Sequence, residues 1–181
     1  MLLKIFKYGE KVLREKAQDV ASVGEDDVRL AEDMVETMHH AKGVGLAAQQ
    51  VGRLERVCVI DIPDGCEEVE DAAFNAPIAM PLMMWNARIV DRQGSVYEKE
   101  GCLSFPGIGG KVVRAHQVTC TYLDASGQPQ TITARGYLAR AIQHETDHLD
   151  AILYIDRLSA VERLAQSAKL KRLAKANGSV R

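Results

Sequence analysis

Long apolar runs are missing from this sequence of 181 residues. No stretch approaches the roughly 18 consecutive apolar residues of a membrane-spanning helix. Lysines interrupt the apolar residues at the start of the chain, so this segment lacks the apolar core of a secretory signal. Together these two absences predict a cytoplasmic protein that has no membrane segment.

Cysteine is also scarce, with four residues in the whole chain. A chain of this length buries about 70% of its unfolded surface and needs no disulfides to fold. Cytoplasmic thiols stay reduced, so we expect the four cysteines to remain unpaired. A lone intracellular cysteine usually behaves as a small apolar residue. We interpret three of the four in this way: Cys58, Cys66 and Cys120.

A large excess of either charge is absent as well. The chain has 23 Lys and Arg against 25 Asp and Glu, a net charge of -2, and 46% of its residues are hydrophobic. This balance is typical of a globular domain and argues against disorder and against a DNA-binding protein. The sum hides an asymmetry, because residues 161–181 carry six Lys or Arg and one Glu, hence +5, and the other 160 residues carry -7.

Hydrophobic periodicity predicts an α+β fold in one domain, 1–181, with a body of about 1–160 and a basic C-terminal helix and tail. We expect antiparallel strands around a central helix over 136–150. Further predicted elements are a helix over 26–42, a surface loop over 63–81, and a last helix that Ser159 and Glu162 start as a capping box. Strands are expected at 56–62, 82–91, 95–99, 111–123, 130–134 and, in short form, 152–155.

The predicted central helix contains H-E-T-D-H at 144–148. Two imidazoles at i and i+4 share a helix face and can bind one metal ion, and Glu145 can take a proton from a water on that ion. A hydrolytic site of this kind needs three protein ligands and one open position. No suitable histidine follows downstream, so the motif leaves the third ligand open.

Two upstream segments are candidates for completing this site. Cys102 follows a predicted strand, and a thiolate is a strong ligand for a borderline cation, although a buried core thiol is the alternative. The segment 43–52 is rich in Gly and Ala, which lets an extended peptide pair with its backbone. A helix stop followed by a tight turn explains the same glycines.

Three short motifs together resemble the peptide deformylase family. They are G-x-G-x-A-A-x-Q at 43–50, E-G-C-L-S at 100–104 and Q-H-E-x-D-H-L at 143–149, in this order. The resemblance extends over about 5–158. It implies an enzyme that removes the N-formyl group from the formyl-methionine of newly made polypeptides and releases formate.

The resemblance also implies the ligands and the general acid/base of the site. One divalent ion is implied at Cys102, His144 and His148; this is Fe²⁺ in the cell, with Zn²⁺, Ni²⁺ or Co²⁺ as alternatives. Glu145 is implied to act as general acid/base toward the metal-bound water that attacks the formyl carbon.

Two implied donors stabilise the oxyanion: the side-chain amide of Gln50 and the backbone N–H of Leu103.

By its spacing along the helix, Tyr137 shares a face with both histidines. A pocket for the methionine side chain and plain core packing are alternative interpretations of this position and of the next one on that face, Ala141.

Four further positions complete the predicted site. Val44 and Gly45 are expected to pair with the substrate backbone. Asp147 points away from the metal-binding face of its helix, where an ion pair with Arg114 and an exposed position are alternatives.

Where the family commonly has Gly, this chain has Ala151, which enters a left-handed conformation at a cost of roughly 1–2 kcal/mol.

Other functions remain open alongside this one. A zinc endopeptidase of another fold needs only the two histidines, and a non-enzymatic relative needs no general base. The basic C-terminal helix is expected either to dock on ribosomal RNA or to be a solvated helix. Its predicted apolar stripe consists of Val161, Leu164, Ala165, Ala168 and Leu173; its predicted outward cations are Arg163, Lys169, Lys171, Arg172, Lys175 and Arg181.

Overall fold

Two antiparallel sheets and four α-helices make up the fold of residues 1–178, which are the part of the chain that the computed structural model describes. The helices are α1 (Glu25–His40), α2 (Val69–Asn75), α3 (Gly136–Leu149) and α4 (Ala160–Asn177). The strands are β1 (Gly45–Ala47), β2 (Val57–Ile60), β3 (Leu82–Gln93), β4 (Val96–Gly101), β5 (Gly109–Arg114), β6 (Gln117–Leu123) and β7 (Pro129–Arg135).

Five strands form the larger sheet in the order β1-β2-β3-β6-β7, and β4 pairs with β5 in a separate hairpin. Every pairing between these strands is antiparallel. The predicted α+β class with antiparallel strands and a C-terminal helix is therefore confirmed. Within 1–178, no helix has the length and apolar character that crossing a membrane requires.

Other parts of the fold cover almost the entire surface of helix α3. Its residues from Leu138 to Leu149 are buried, with Arg140 as the exception. Leu138 and Ile142 pack with Met84 of the larger sheet in one apolar cluster. A helix buried on all sides must satisfy each of its polar side chains, which makes the polar stretch 143–148 the unusual feature of this core.

Three predicted elements are wrong. The expected loop over 63–81 contains α2, and the expected strand over 152–155 is a single 3₁₀ turn, Tyr154–Asp156, in which the Asp156 carboxylate accepts the Leu153 N–H at 2.9 Å. A short buried apolar run has no periodicity that separates a strand from such a turn.

The expected strand over 111–123 is in fact two strands that belong to different sheets, β5 and β6. Between them, the side-chain amide of Gln143 takes up both backbone groups of Ala115. It accepts from the Ala115 N–H and donates to the Ala115 carbonyl, both at 2.9 Å. A residue bonded in this way is unavailable to a ladder, so the pairing breaks at this point.

Helix α4 begins at the predicted cap, with the Ser159 Oγ accepting the Glu162 N–H at 3.2 Å. Four of the five positions of its predicted apolar stripe are wrong as a packing face, since Val161 is 79% exposed and Leu164 is 74% exposed, whereas Leu173 is partly buried and packs against a core cluster. Ala165 and Ala168 are exposed too, and the buried side chain is Leu170. The basic residue Arg181 lies outside the described residues.

The left-handed position at the end of α3 is present. Ala151 has a φ of 62°, a left-handed conformation that a glycine would adopt without strain. Asn86 also has a positive φ, of 54°. Its side chain compensates by bonding both backbone groups of Val20 at 2.9 Å, and the following Ala87 is fully buried.

Candidate metal and catalytic site

Side chains from two elements converge beside the end of the hairpin. Cys102 directly follows β4, whereas His144 and His148 lie one turn apart on α3. One ligand atom from each of the three lies within 4.8 Å of the others. The Cys102 Sγ is 3.3 Å from the His148 Nε2, and the two imidazole centroids are 5.1 Å apart.

This arrangement fits a divalent transition-metal ion. A tetrahedral ion with bonds of about 2.0–2.3 Å holds its ligand atoms roughly 3.3–3.8 Å apart, so small side-chain adjustments close the observed cluster onto an ion. A thiolate and two imidazoles suit iron, zinc, nickel and cobalt, whereas Mg²⁺ and Ca²⁺ prefer oxygen ligands.

Glu145 lies beside this cluster in a dry environment. Burial raises the pKa of its carboxyl to about 7. Its Oε2 is buried and has no hydrogen-bond partner among the described residues. A Cβ at Gly45 would lie 2.3 Å from its Oε1, so β1 approaches the carboxylate as closely as only glycine permits. A carboxyl that titrates near neutral pH is suited to move a proton in both directions.

Gln50 directs its amide N–H groups toward the same cluster. Its Oε1 accepts the Ala47 N–H at 2.8 Å, which sets the orientation of the amide. Its Nε2 then faces the Cys102 Sγ at 3.4 Å and the Ser104 Oγ at 3.2 Å. Leu103 lies between these two residues, and its carbonyl accepts from the Lys7 ammonium at 2.8 Å.

A cavity of about 840 Å³ opens from these residues to the solvent. Its size is near the upper end of the range of roughly 300–1,000 Å³ for small-ligand pockets, so it has room for more than one peptide side chain. The structure brings together here all four residues that were expected to contact a substrate: Val44, Gly45, Tyr137 and Ala141.

A buried ion network supports the cluster from behind. Glu100 accepts from the His144 Nδ1 at 3.0 Å and from the Arg114 Nε and Nη2 at 2.9 Å each. Arg114 also pairs with Asp147, which receives a second cation, Arg157, at 2.6 Å. Of the two alternatives for Asp147, the ion pair is the one present.

The network shifts the pKa values of Glu100 and His144, whereas burial is the main influence on the pKa of His148. Burial opposes ionisation of Glu100, but the bonds from His144 and Arg114 outweigh it and lower the pKa to about 2. Burial would lower the pKa of His144, yet its bonds to Cys102 and Glu100 raise that pKa well above its usual value. Burial and the neighbouring His144 lower the pKa of His148.

Sequence reasoning missed Glu100 as a functional residue. It lies in the motif at 100–104, two positions before the thiol. The feature that could have indicated its role is a charged residue at a strand position near a candidate metal ligand. Nothing in the sequence connected it to His144, because 44 residues separate the two. Lys7 was missed as well, since no pattern links the N-terminal segment to the loop at Leu103.

We expect Glu100→Gln to weaken metal binding by about 10–100-fold, the usual effect of removing a residue that orients a ligand. The free energy of unfolding should fall by about 3 kcal/mol, because Arg114 loses a buried charged partner. Chelator competition measures the first effect and urea unfolding the second. Glu98→Gln, at an exposed position of the same strand, is the matched control. An unchanged metal affinity would contradict the orienting role.

Comparison with known proteins identifies the family of this chain. The family model for polypeptide deformylases matches residues 2–164, a span that includes all three motifs. The chain belongs to the polypeptide deformylase family. This family removes N-formyl groups from nascent peptides. The predicted family and the prediction of an enzyme are confirmed.

Similar proteins cover nearly the full chain. The peptide deformylase of Endomicrobium trichonymphae is 44% identical over 96% of this chain and 96% of its own. That of Opitutus terrae is 42% identical over 97% of this chain and 94% of its own.

Solved structures of the family have the same fold. The crystal structure of peptide deformylase from Thermus thermophilus has a TM-score of 0.83 at 39% identity, covering 97% of this chain and 99% of that one. Peptide deformylase from Ehrlichia chaffeensis in complex with actinonin has a TM-score of 0.84 at 36% identity, covering 97% of each chain. The fold of this chain is therefore shared with solved peptide deformylases over nearly its whole length.

Proposed function

We propose that this chain hydrolyses the N-formyl group of formyl-methionyl peptides with one divalent ion held by Cys102, His144 and His148. One observation carries the proposal: the three ligand atoms converge beside a buried carboxylate oxygen of Glu145 that has no partner among the described residues. A structural cluster would need no such unpartnered acid. A hydrolytic site needs it to accept a proton.

An ion held by these residues would supply Lewis acidity, which lowers the pKa of a bound water from 15.7 toward about 7. In the proposed reaction the Glu145 carboxylate would take the proton that the attacking water loses. Oxygen adds to the formyl carbon, the carbon–nitrogen bond then breaks, and Glu145 returns its proton to the leaving amine. The products are formate and a free N-terminus, so the carboxyl ends the cycle in its starting state.

The charge that develops on the formyl oxygen needs donors. The Gln50 amide is held by Ala47 and so is oriented before substrate arrives. The backbone N–H of Leu103, next to the thiolate ligand, is the second proposed donor. Losing one donor of this kind typically costs about 10²–10³ in rate.

Substrate binding uses the free edge of β1 and the cavity floor. Strand β1 is the terminal strand of the larger sheet among the described residues, so its outer edge can pair with an extended peptide at Val44 and Gly45. Tyr137 and Ala141 line the cavity about two turns and one turn before His144, respectively, and form the proposed pocket for the methionine side chain.

The decisive experiment is an assay of formate release from formyl-Met-Ala-Ser. We expect turnover with Fe²⁺ under anaerobic conditions, a loss on exposure to air, and activity again after reloading with Ni²⁺ or Co²⁺. Zn²⁺ should support less turnover. Cleavage of unformylated peptides without formate release would contradict the proposal and favour the endopeptidase alternative.

Three finer expectations remain predictions: Fe²⁺ as the ion in the cell, a cytoplasmic location, and ribosomal RNA as the partner of the C-terminal helix. For the last, the described cations of α4 supply the charge, and Arg163, Lys169 and Lys171 are all exposed. The proposed substrate is the nascent formyl-methionyl chain.

A further inference from the structure

We infer that the mouth of the catalytic cavity favours substrates with acidic side chains in the residues that follow formyl-methionine. The inference rests on the proposed function and adds to it a charge preference that is specific to this chain. It comes from the side chains around the opening of the cavity, at a distance from the reacting atoms.

Positive charge surrounds this opening. The cavity is lined by three cations from three different elements: Lys42 after α1, Lys99 on β4 and Arg140 on α3. Lys42 and Lys99 are exposed, and Arg140 is partly exposed. A fourth cation that lines the cavity, Lys7, donates a hydrogen bond to the Leu103 carbonyl. We call Lys42, Lys99 and Arg140 the cationic rim.

The acids of the cavity do not neutralise the rim. Within 1–178, the acidic side chains that line the cavity are Glu100 and Glu145, and both are buried. Glu100 is already committed to Arg114 and His144. The solvent-facing part of the cavity therefore carries charge of one sign, and a peptide entering it meets a positive potential.

The rim cations also lack carboxylate partners elsewhere. Across the described part of the chain, no ion pair within 4.0 Å involves Lys42, Lys99 or Arg140. Arg140 donates one bond to the Lys99 carbonyl at 3.1 Å and lies 5.3 Å from the Tyr137 ring, while its buried Nε has no partner. The guanidinium of Arg140 is thus held in place, and no carboxylate of the described residues neutralises its positive charge.

Acids that are near in the chain are directed elsewhere. Glu98 precedes Lys99 on β4, and its side chain is exposed. Glu67 accepts from the Leu138 N–H at 3.1 Å and from Asn75 at 2.8 Å, so its carboxylate caps the start of α3. Neither acid lines the cavity.

The rim is within reach of the residues after methionine. Arg140 lies four residues before His144 on α3, a rise of about 6 Å. Lys99 lies three residues before Cys102 in the chain. An extended peptide advances about 3.3 Å per residue, so the three residues after methionine span about 10 Å from the proposed reaction centre. Carboxylates on these residues can come close to the rim, whereas lysines would be repelled.

The test compares formyl-Met-Ala-Glu-Glu, formyl-Met-Ala-Ser-Ser and formyl-Met-Ala-Lys-Lys, all amidated at the C-terminus, with the metal-loaded enzyme. We expect kcat/KM for the Glu peptide to exceed that for the Lys peptide by about tenfold at low ionic strength, equivalent to about 1.4 kcal/mol. The difference should lie mainly in KM, because the rim does not touch the reacting atoms. At about 1 M salt the Debye length is about 3 Å, so the ratio should approach one.

Variants of the rim provide the second arm of the test. Lys42→Gln combined with Lys99→Gln should lower the Glu/Lys peptide ratio, and Lys99→Glu should lower it further or invert it. Lys169→Gln combined with Lys171→Gln removes the same charge from α4, whose residues do not line the cavity, and should leave the ratio unchanged. Calorimetric binding of the three peptides to the Glu145→Ala variant gives the same comparison without turnover.

The outcomes separate the inference from the proposed function. Equal kcat/KM for the Glu and Lys peptides at low ionic strength, with the Ser peptide active, would overturn the inference alone. A ratio that falls equally in the α4 control would also overturn it, because the effect would then follow net charge. No formate from the Ser peptide would overturn the proposed function, and equal binding of the three peptides would then overturn the inference independently.

Discussion

The Glu145→Ala variant is expected to keep its metal ion and to lose nearly all turnover. Glu145 is not one of the three ligands, so removing its carboxylate leaves the metal-binding atoms in place. It does remove the proposed proton acceptor, and a positioned general acid or base typically contributes about 10²–10⁴ in rate. Formate release and the metal content per chain, measured on the same preparation, test both parts of this expectation.

Two further variants sharpen this test. Glu145→Gln preserves the volume of the side chain and removes only its proton-accepting charge, so it should be as inactive as the alanine variant. Glu162→Ala changes a glutamate of α4 outside the cavity and should retain full activity. Activity of Glu145→Ala within tenfold of the parent would rule out the proposed role of this carboxylate.

The Cys102→Ser variant is expected to lose the metal ion and with it the activity. Serine places a hydroxyl where a thiolate stood, and a hydroxyl stays protonated near neutral pH and is a poor ligand for a borderline cation. Because removing a residue that merely orients a ligand costs about 10–100-fold in metal affinity, removing a ligand should cost more than about 100-fold. Chelator competition followed by the formate assay measures the loss.

Cys66→Ser is the matched control for this variant. Cys66 is exposed and lies outside the cavity, so its thiol should be dispensable for metal binding and for turnover. If Cys102→Ser retained both metal and formate release, the third ligand would have to be another residue. Peptide cleavage surviving in Cys102→Ser would instead favour an enzyme that uses the two histidines alone.

Local patterns predicted the elements whose periodicity is strong. The helix expected over 136–150 is found as Gly136–Leu149, and the one expected over 26–42 as Glu25–His40. Failures occurred where tertiary contacts override local preference. The Gln143 amide divides one predicted strand into β5 and β6, and the solvent-facing position of Val161 reverses the expected packing of α4.

The sequence by itself determined that two imidazoles share a helix face, with a glutamate beside them, because the helical period of 3.6 residues per turn is a local property of the backbone. It also determined which motifs accompany that helix and thereby the family. Spacing along the chain did not determine which residue is the third metal ligand. The resemblance to the family implied it.

Only the tertiary structure decided what surrounds this helix. It brings Glu100 to His144 across 44 residues of chain, and it places Lys42, Lys99 and Arg140 around one opening. These partners come from different elements, and their proximity depends on how those elements are arranged in the folded chain. No periodicity within a single segment encodes such a contact, because it exists only when the whole chain is folded.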